Sequence, residues 1–131
     1  MKKIIVLVIT LIFITGCGNK IVCRTNNDNS VSEIYEISYV DDNVTDIINR
    51  KIYRFDNKEE FNNFENLMNY KVESNGNNNV KISYKKKNKK YILISEYDVD
   101  LLSDQQLKQF GLSRSLSDLK GSLMEYGLSC K

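Results

Sequence analysis

The chain has 131 residues, with 19 lysines and arginines against 17 aspartates and glutamates, and it contains no histidine, proline or tryptophan. The absence of histidine excludes Ser-His-Asp and Cys-His catalytic arrangements as well as histidine-ligated metal sites. No phosphate-binding glycine loop, dinucleotide-binding motif or G-x-S-x-G motif occurs in the sequence, so the enzyme classes that depend on these motifs are excluded too.

Residues 1–16 have the pattern of a signal peptide. Two lysines precede an apolar run from Ile4 to Ile14, which is shorter than the about 20 residues of a membrane-spanning helix. The next residues, Ile14-Thr15-Gly16-Cys17, resemble the lipobox of bacterial lipoproteins. That resemblance implies cleavage before Cys17 and a diacylglyceryl thioether on its sulfur, with palmitate-type chains that anchor the protein to the membrane on its extracytoplasmic face. The alternative is an ordinary secretory signal that a cysteine happens to follow.

Removal of the signal peptide changes the charge of the chain. Lys2 and Lys3 account for the formal charge of +2, so the acidic and basic side chains of residues 17–131 balance. A general affinity for nucleic acid therefore loses its support. We expect residues 17–19 to be an acylated cysteine with a short tether, and residues 20–131 to form one globular domain.

Two cysteines remain once Cys17 is assigned to lipid. Cys23 and Cys130 are 107 positions apart, and outside the cytoplasm an even pair predicts a disulfide. The alternative is a pair of free thiols. Two cysteines without histidine or C-x-x-C spacing do not resemble a metal site, and no cofactor is implied.

The first half of the domain predicts three strands, over residues 20–25, 31–40 and 44–55. In the second of them Val31, Tyr35, Ile37 and Tyr39 share one face, and only Glu33 departs from the alternation. An asparagine-rich turn and the acidic turn at 41–43 separate the strands, which indicates an antiparallel meander.

A helix is predicted next, followed by a hairpin. Asp56 or Asn57 caps the helix, and Phe61, Phe64, Leu67 and Met68 form one apolar stripe on it. The Gly/Asn-rich segment 74–79 ends the helix. Strands then follow from Val80 and over 91–99, with the lysine-rich segment 85–90 crossing the turn between them.

Two short helices close the chain. Ser103 with Gln106 forms a capping box, and Ser115 with Asp118 opens the last helix, which Gly127 ends. The predicted fold is α+β: an antiparallel sheet of about five strands, with the mid-chain helix and the C-terminal helices packed on one face. The other face stays open to solvent.

One cluster has potential for binding. Five lysines, Lys85, Lys86, Lys87, Lys89 and Lys90, lie at the predicted hairpin tip, where they would project positive charge towards anionic lipid or an anionic wall polymer. The alternative is a solvated turn whose lysines protect the edge of the sheet. Because no aromatic residue interleaves the run, stacking on nucleic acid is not indicated.

Carboxylate pairs are the remaining route to catalysis. Asp41-Asp42, Glu59-Glu60 and Asp98 with Asp100 could in principle serve a hydrolase that uses two carboxylates. Each pair also has a structural explanation, at a turn, a helix N-terminus and a strand end. The eight tyrosines leave two options for the open face, a tyrosine-lined concavity or a flat polar surface.

The layout resembles small lipoproteins of Gram-positive bacteria and is similar to the YehR-like lipoprotein family. The matching segments are Ile21-Val22-Cys23, residues 115–118 and Gly127-Leu128-Ser129-Cys130-Lys131. The resemblance implies anchoring and fold but lends no catalytic residues. We therefore expect a non-enzymatic lipoprotein that binds an envelope protein or polymer, with electrostatic docking through Lys85 to Lys90 as the first alternative and a carboxylate hydrolase as the second.

Overall fold

A computed structural model describes residues 18–26, 30–74 and 79–131. Cys17 and the predicted signal peptide lie outside this part of the chain. The elements in chain order are β1 (Asn19–Thr25), β2 (Val31–Val40), β3 (Asn43–Arg54), α1 (Lys58–Ser74), β4 (Val80–Lys87), β5 (Lys90–Asp98), a 3-10 turn (Val99–Leu101), α2 (Asp104–Gln109), α3 (Leu116–Glu125) and β6 (Leu128–Cys130). None of the helices in the described ranges is long and apolar enough to span a membrane.

The six strands form one antiparallel sheet in the order β4-β5-β3-β2-β1-β6. The predicted α+β fold is confirmed, with one strand more than expected. The additional strand is β6, whose three residues pair with β1 in the register Cys23↔Cys130. A run this short carries no alternation that could have identified it as a strand.

The core lies between the sheet and the helices. Ile37 and Ile47 face each other across β2 and β3 and are fully buried, and Leu119 and Leu123 of α3 join them in the same cluster. We call this side of the sheet the covered face. All three helices lie on it, as predicted, because their apolar stripes must be removed from water.

Helix α1 covers the other end of the same face through an aromatic cluster. The Phe64 ring lies 4.5 Å from that of Tyr53, 4.9 Å from that of Phe55 and 5.3 Å from that of Tyr91. At its start, the Asn57 side chain accepts a hydrogen bond from the Glu60 amide at 2.8 Å. The apolar stripe predicted for this helix is therefore core packing, at least at Phe64.

The residue that broke the alternation of β2 has a partner on the neighbouring strand. Glu33 points to the covered face, and its carboxylate lies 3.5 Å from the ammonium group of Lys51, directly opposite on β3. The ion pair allows a charged residue on this half-buried surface, since a paired charge costs far less to bury than a single one.

The C-terminal helices begin and end where predicted. The Ser103 hydroxyl accepts from the Gln106 amide while the Gln106 side chain accepts from the Ser103 amide, which completes the capping box of α2. Gly127 follows α3 with φ of 90°, a conformation that glycine adopts without steric cost. The turn brings the chain back beside β1.

The predicted disulfide is present. Cys23 and Cys130 are joined across β1 and β6, with their Cα atoms 4.0 Å apart. Val22 and Lys131 exchange both backbone hydrogen bonds at the neighbouring position, so the cysteines occupy the closer, non-hydrogen-bonded type of antiparallel pair. The bridge thus secures the shortest strand to the body of the sheet.

Candidate functional site

The side of the sheet opposite the helices is the candidate site, and we call it the open face. Successive side chains of a strand point to opposite faces of the sheet. The open face therefore carries every second residue of each strand, and the residues between them face the helices. None of the described helices packs on this side. Its apolar members are isoleucines and one valine that are only half-buried: Val22, Ile34, Ile48, Ile52, Ile92 and Ile94.

Charge is unevenly distributed along the open face. Among the residues that the structure describes, one half carries six basic residues and no acidic one; we call it the cationic half, and it consists of Arg24, Arg50, Arg54, Lys85, Lys87 and Lys90. The other half, nearer the start of β1, carries four acidic residues against two basic ones: Glu36, Asp46, Glu96 and Asp98 with Lys20 and Lys81. The face is therefore polarised along the strand direction.

The strand register places three cations of this half side by side. Arg54 of β3 lies directly opposite Lys90 of β5, and Lys90 lies directly opposite Lys87 of β4. Neighbouring strands are about 4.8 Å apart, and like charges directly opposite each other destabilise a sheet. The Arg54 guanidinium is oriented by a hydrogen bond from Nη1 to the Ser32 hydroxyl at 3.0 Å.

The three arginines of the cationic half were not predicted as site residues. Arg24 lies on β1, and Arg50 and Arg54 lie on β3. All three are remote in sequence from the lysine-rich hairpin, so only the strand register could bring them beside it. Arg50 is partly neutralised, because its Nη1 lies 3.0 Å from the Glu36 carboxylate. Glu36 in turn has its pKa lowered by the hydrogen bond from Arg50.

The five lysines predicted as one cluster at the hairpin tip are divided by the structure. The turn itself is only Asn88 and Lys89, both with positive φ, so Lys85, Lys86 and Lys87 belong to β4. Lys86 points to the covered face, where its ammonium lies 2.6 Å from the Glu65 carboxylate of α1. That hydrogen bond raises the pKa of Lys86.

The other four lysines of the predicted cluster do not form a group at the tip either. Lys89 donates from Nζ to the Asp56 carbonyl at 3.2 Å. Only Lys85, Lys87 and Lys90 stay on the open face, and no carboxylate within the described ranges lies within ion-pairing distance of their ammonium groups. The predicted cluster at the tip is thus replaced by the cationic half, to which four strands contribute: β1, β3, β4 and β5.

The tyrosines of strands β2 to β5, as far as the structure describes them, do not form a concavity on the open face. Tyr35, Tyr53, Tyr84, Tyr91 and Tyr97 lie on the covered face. Burial raises the pKa of Tyr91 to about 12, and burial likewise raises the pKa of Tyr97. Of the two options for the open face, the structure shows a polar surface without tyrosine from these strands.

Of the predicted carboxylate pairs, Asp41-Asp42 contains a residue with a clear structural role. Asp42 accepts hydrogen bonds from the Ser115 hydroxyl at 2.7 Å and from the Ser117 hydroxyl and amide at 2.7 and 3.0 Å. The Ser117 hydroxyl contributes most to lowering the pKa of Asp42. The carboxylate therefore holds the β2–β3 turn against the start of α3.

A shallow depression lies in the acidic half. It encloses about 530 Å³, and its lining includes Asp46, Lys81, Glu96 and Asp98. Asp46 and Asp98 are directly opposite on β3 and β5, a juxtaposition that the sequence pattern did not predict. Among the described residues there is no group of three acidic residues or cysteines placed to hold a metal ion.

Comparisons with known proteins give information about the fold but none about the chemistry. No protein-family model matches the chain, and no curated protein matches it. An NMR structure of a protein from Streptococcus pneumoniae TIGR4 is similar, with a TM-score of 0.57 and 11% sequence identity over 86% of this chain and 83% of that chain. At this identity the similarity concerns the fold alone.

Proposed function

We propose that this protein is a lipid-anchored module of the cell envelope, without a catalytic centre, that binds an envelope component through its open face. The observation that carries the proposal is the polarised open face. It leaves six neighbouring basic residues exposed or half-exposed on a rigid sheet whose other side is covered by the helices. Binding residues placed on strands are held more precisely than residues on loops.

Two further observations support an extracytoplasmic position. The lipobox-like segment ending at Cys17 provides an anchoring residue, and the disulfide between Cys23 and Cys130 suits an oxidising compartment. Only Gly18 separates Cys17 from the first residue of β1, so the anchor would hold the domain close to the bilayer.

Anchoring is tested by mass spectrometry and fractionation of the wild type and a Cys17→Ser variant. We expect the wild-type chain to be found in the membrane fraction with an acylated N-terminal Cys17, and we expect the variant to lack acyl chains. An unmodified Cys17 in membrane-derived wild-type protein would refute the anchor. An ordinary secretory signal would instead yield a soluble protein.

Binding through the open face is tested with a photo-crosslinking residue at Ser83 or Ser38. The matched control positions are Gln109 and Glu125, which are exposed on helices of the other side. We expect envelope material, protein or polymer, to be captured from Ser83 and Ser38 only. Equal capture from both sides, or none, would contradict a binding role for this face.

The hydrolase alternative now concerns a pair of residues that was not predicted from the sequence. Asp46 and Asp98 face the depression together, and two carboxylates within about 10 Å are what such a mechanism requires. A hydrolytic activity on envelope polymers that disappears in both Asp46→Asn and Asp98→Asn would favour an enzyme and contradict the proposal.

A further inference from the structure

We infer that the cationic half of the open face binds a linear, phosphate-bearing polymer of the envelope. The inference rests on the proposed function and names the class of partner for the same face. Three observations carry it: the alignment of like charges across the sheet, the arrangement of the isoleucines between them, and the distance of this half from the predicted anchor.

The first observation is the row formed by Arg54, Lys90 and Lys87. These residues occupy consecutive strands at directly opposite positions, an arrangement that repulsion between like charges disfavours in the free protein. Lys85 extends the positive surface along β4, and Arg24 lies on β1, level with Arg50 of β3. A chain of closely spaced anionic groups lying across the strands would relieve the repulsion between Lys90 and Lys87 and would also reach Lys85 and Arg24, which a single small anion could not do.

The second observation distinguishes a polymer from a bilayer surface. The isoleucines of this half, Ile34, Ile52, Ile92 and Ile94, are half-buried, and the aliphatic stems of neighbouring Arg and Lys side chains can cover them. In the described residues, the exposed large apolar side chains lie elsewhere: Val31, Val40, Leu67, Tyr84, Leu101, Phe110, Met124 and Tyr126. Peripheral membrane binding usually combines basic residues with such exposed apolar groups.

The third observation is the position of the anchor. Asn19 and Lys20 begin β1 level with Ser38 and Asp46, at the acidic end of the open face. Asp46 and Arg54 are eight positions apart on β3, which corresponds to about 26 Å along the strand. If the domain is held at Cys17 with its strands perpendicular to the membrane plane, the cationic half lies at the end away from the bilayer, where polymers of the envelope lie.

The inference is tested with inorganic polyphosphate as the probe and the full chain in an uncharged detergent. The test variant is K85S/K87S/K90S, and the matched control is K58S/K108S/K120S, which removes the same charge from α1, α2 and α3. Each lysine near a dense anionic surface contributes about fivefold in affinity, so we expect a loss of about 100-fold for the test variant. The control should lose less than about twofold at moderate salt, because its charges lie on the other side.

The outcomes separate this inference from the proposed function. Equal losses in the two variants, or no loss in the test variant, would overturn the inference and leave Lys85 and Lys87 as protection of the exposed edge strand β4. Binding to phosphatidylglycerol vesicles but not to polyphosphate, lost in the test variant, would assign the surface to the membrane instead. Crosslinks from Ser83 and Ser38 to envelope protein alone would retain the binding module and refute its polymeric partner.

Discussion

Removal of the Cys23–Cys130 bridge gives the most quantitative prediction. The bridge closes a loop of 107 residues, and the entropy that such a closure removes from the unfolded chain corresponds to about 4.7 kcal/mol at 25 °C. A domain of this size has a total free energy of unfolding of about 5–15 kcal/mol. We therefore expect the C23A/C130A variant to be folded but much less stable than the wild type.

Part of the loss in that variant has a second origin. Cys23 is fully buried in the same core cluster as Leu119, so truncation to alanine removes packing that contributes about 1 kcal/mol to the free energy of unfolding. Reduction of the wild-type disulfide leaves both side chains in place and isolates the effect of the cross-link. The difference between the two losses measures the packing contribution alone.

The assay is urea unfolding followed by far-UV circular dichroism, at one pH, for the oxidised wild type, the reduced wild type and the double variant. With a denaturant slope of about 2 kcal/mol per molar urea, a loss of about 4.7 kcal/mol lowers the midpoint by about 2.4 M. A loss below about 1 kcal/mol in the reduced wild type would refute the reasoning, because the bridge would then not restrict the unfolded chain.

Three further predictions concern single residues. Hydrogen bonds, first from Ser117, lower the pKa of Asp42 below its ordinary value of 3.8, so its stabilising effect is fully present above that pH and is lost as the pH falls through the lowered pKa of the folded state. Asp42→Asn should therefore lower the melting temperature near neutrality, and a difference that does not narrow as the pH is lowered below 3.8 would contradict this. Phe64→Ala should cost about 2–3 kcal/mol in urea unfolding through lost ring contacts, whereas Leu67→Ala, 55% exposed, should cost under about 0.5. Lys89 has a φ of 59°, a conformation that glycine adopts without steric strain, so Lys89→Gly should raise the free energy of unfolding by about 0.5 kcal/mol. Polyphosphate binding should be unchanged, and weaker binding would show that Lys89 belongs to the binding surface.

The regular elements were predictable because local patterns decide them. The alternation over β2 predicted its bounds without error, and the capping box at Ser103 located the start of α2. The disulfide followed from cysteine number and compartment. The strand and helix bounds depend on residues near one another in sequence, and the disulfide depends on the number of cysteines. Neither required knowledge of the strand register.

The candidate site was less predictable because it depends on register. The sequence predicted that 85–90 crosses a hairpin turn, with its lysines at the tip. Asn88 and Lys89 alone make the turn, since two residues with positive φ suffice to reverse a hairpin. The strands consequently extend further, and alternation sends Lys86 to one face and Lys85 to the other. Arg54 joins the lysines only through its pairing with Lys90.

The position of β1 has a mechanical consequence for an anchored domain. Because β1 lies between β2 and β6, a force applied at Cys17 would load two ladders of backbone hydrogen bonds at once, parallel to the strand. Loading in this shear geometry strains many hydrogen bonds together, whereas peeling an edge strand would break them one by one. The covalent link from Cys23 to Cys130 would pass the remaining load to the last strand. A domain built in this way would resist unfolding by a force applied through an N-terminal anchor.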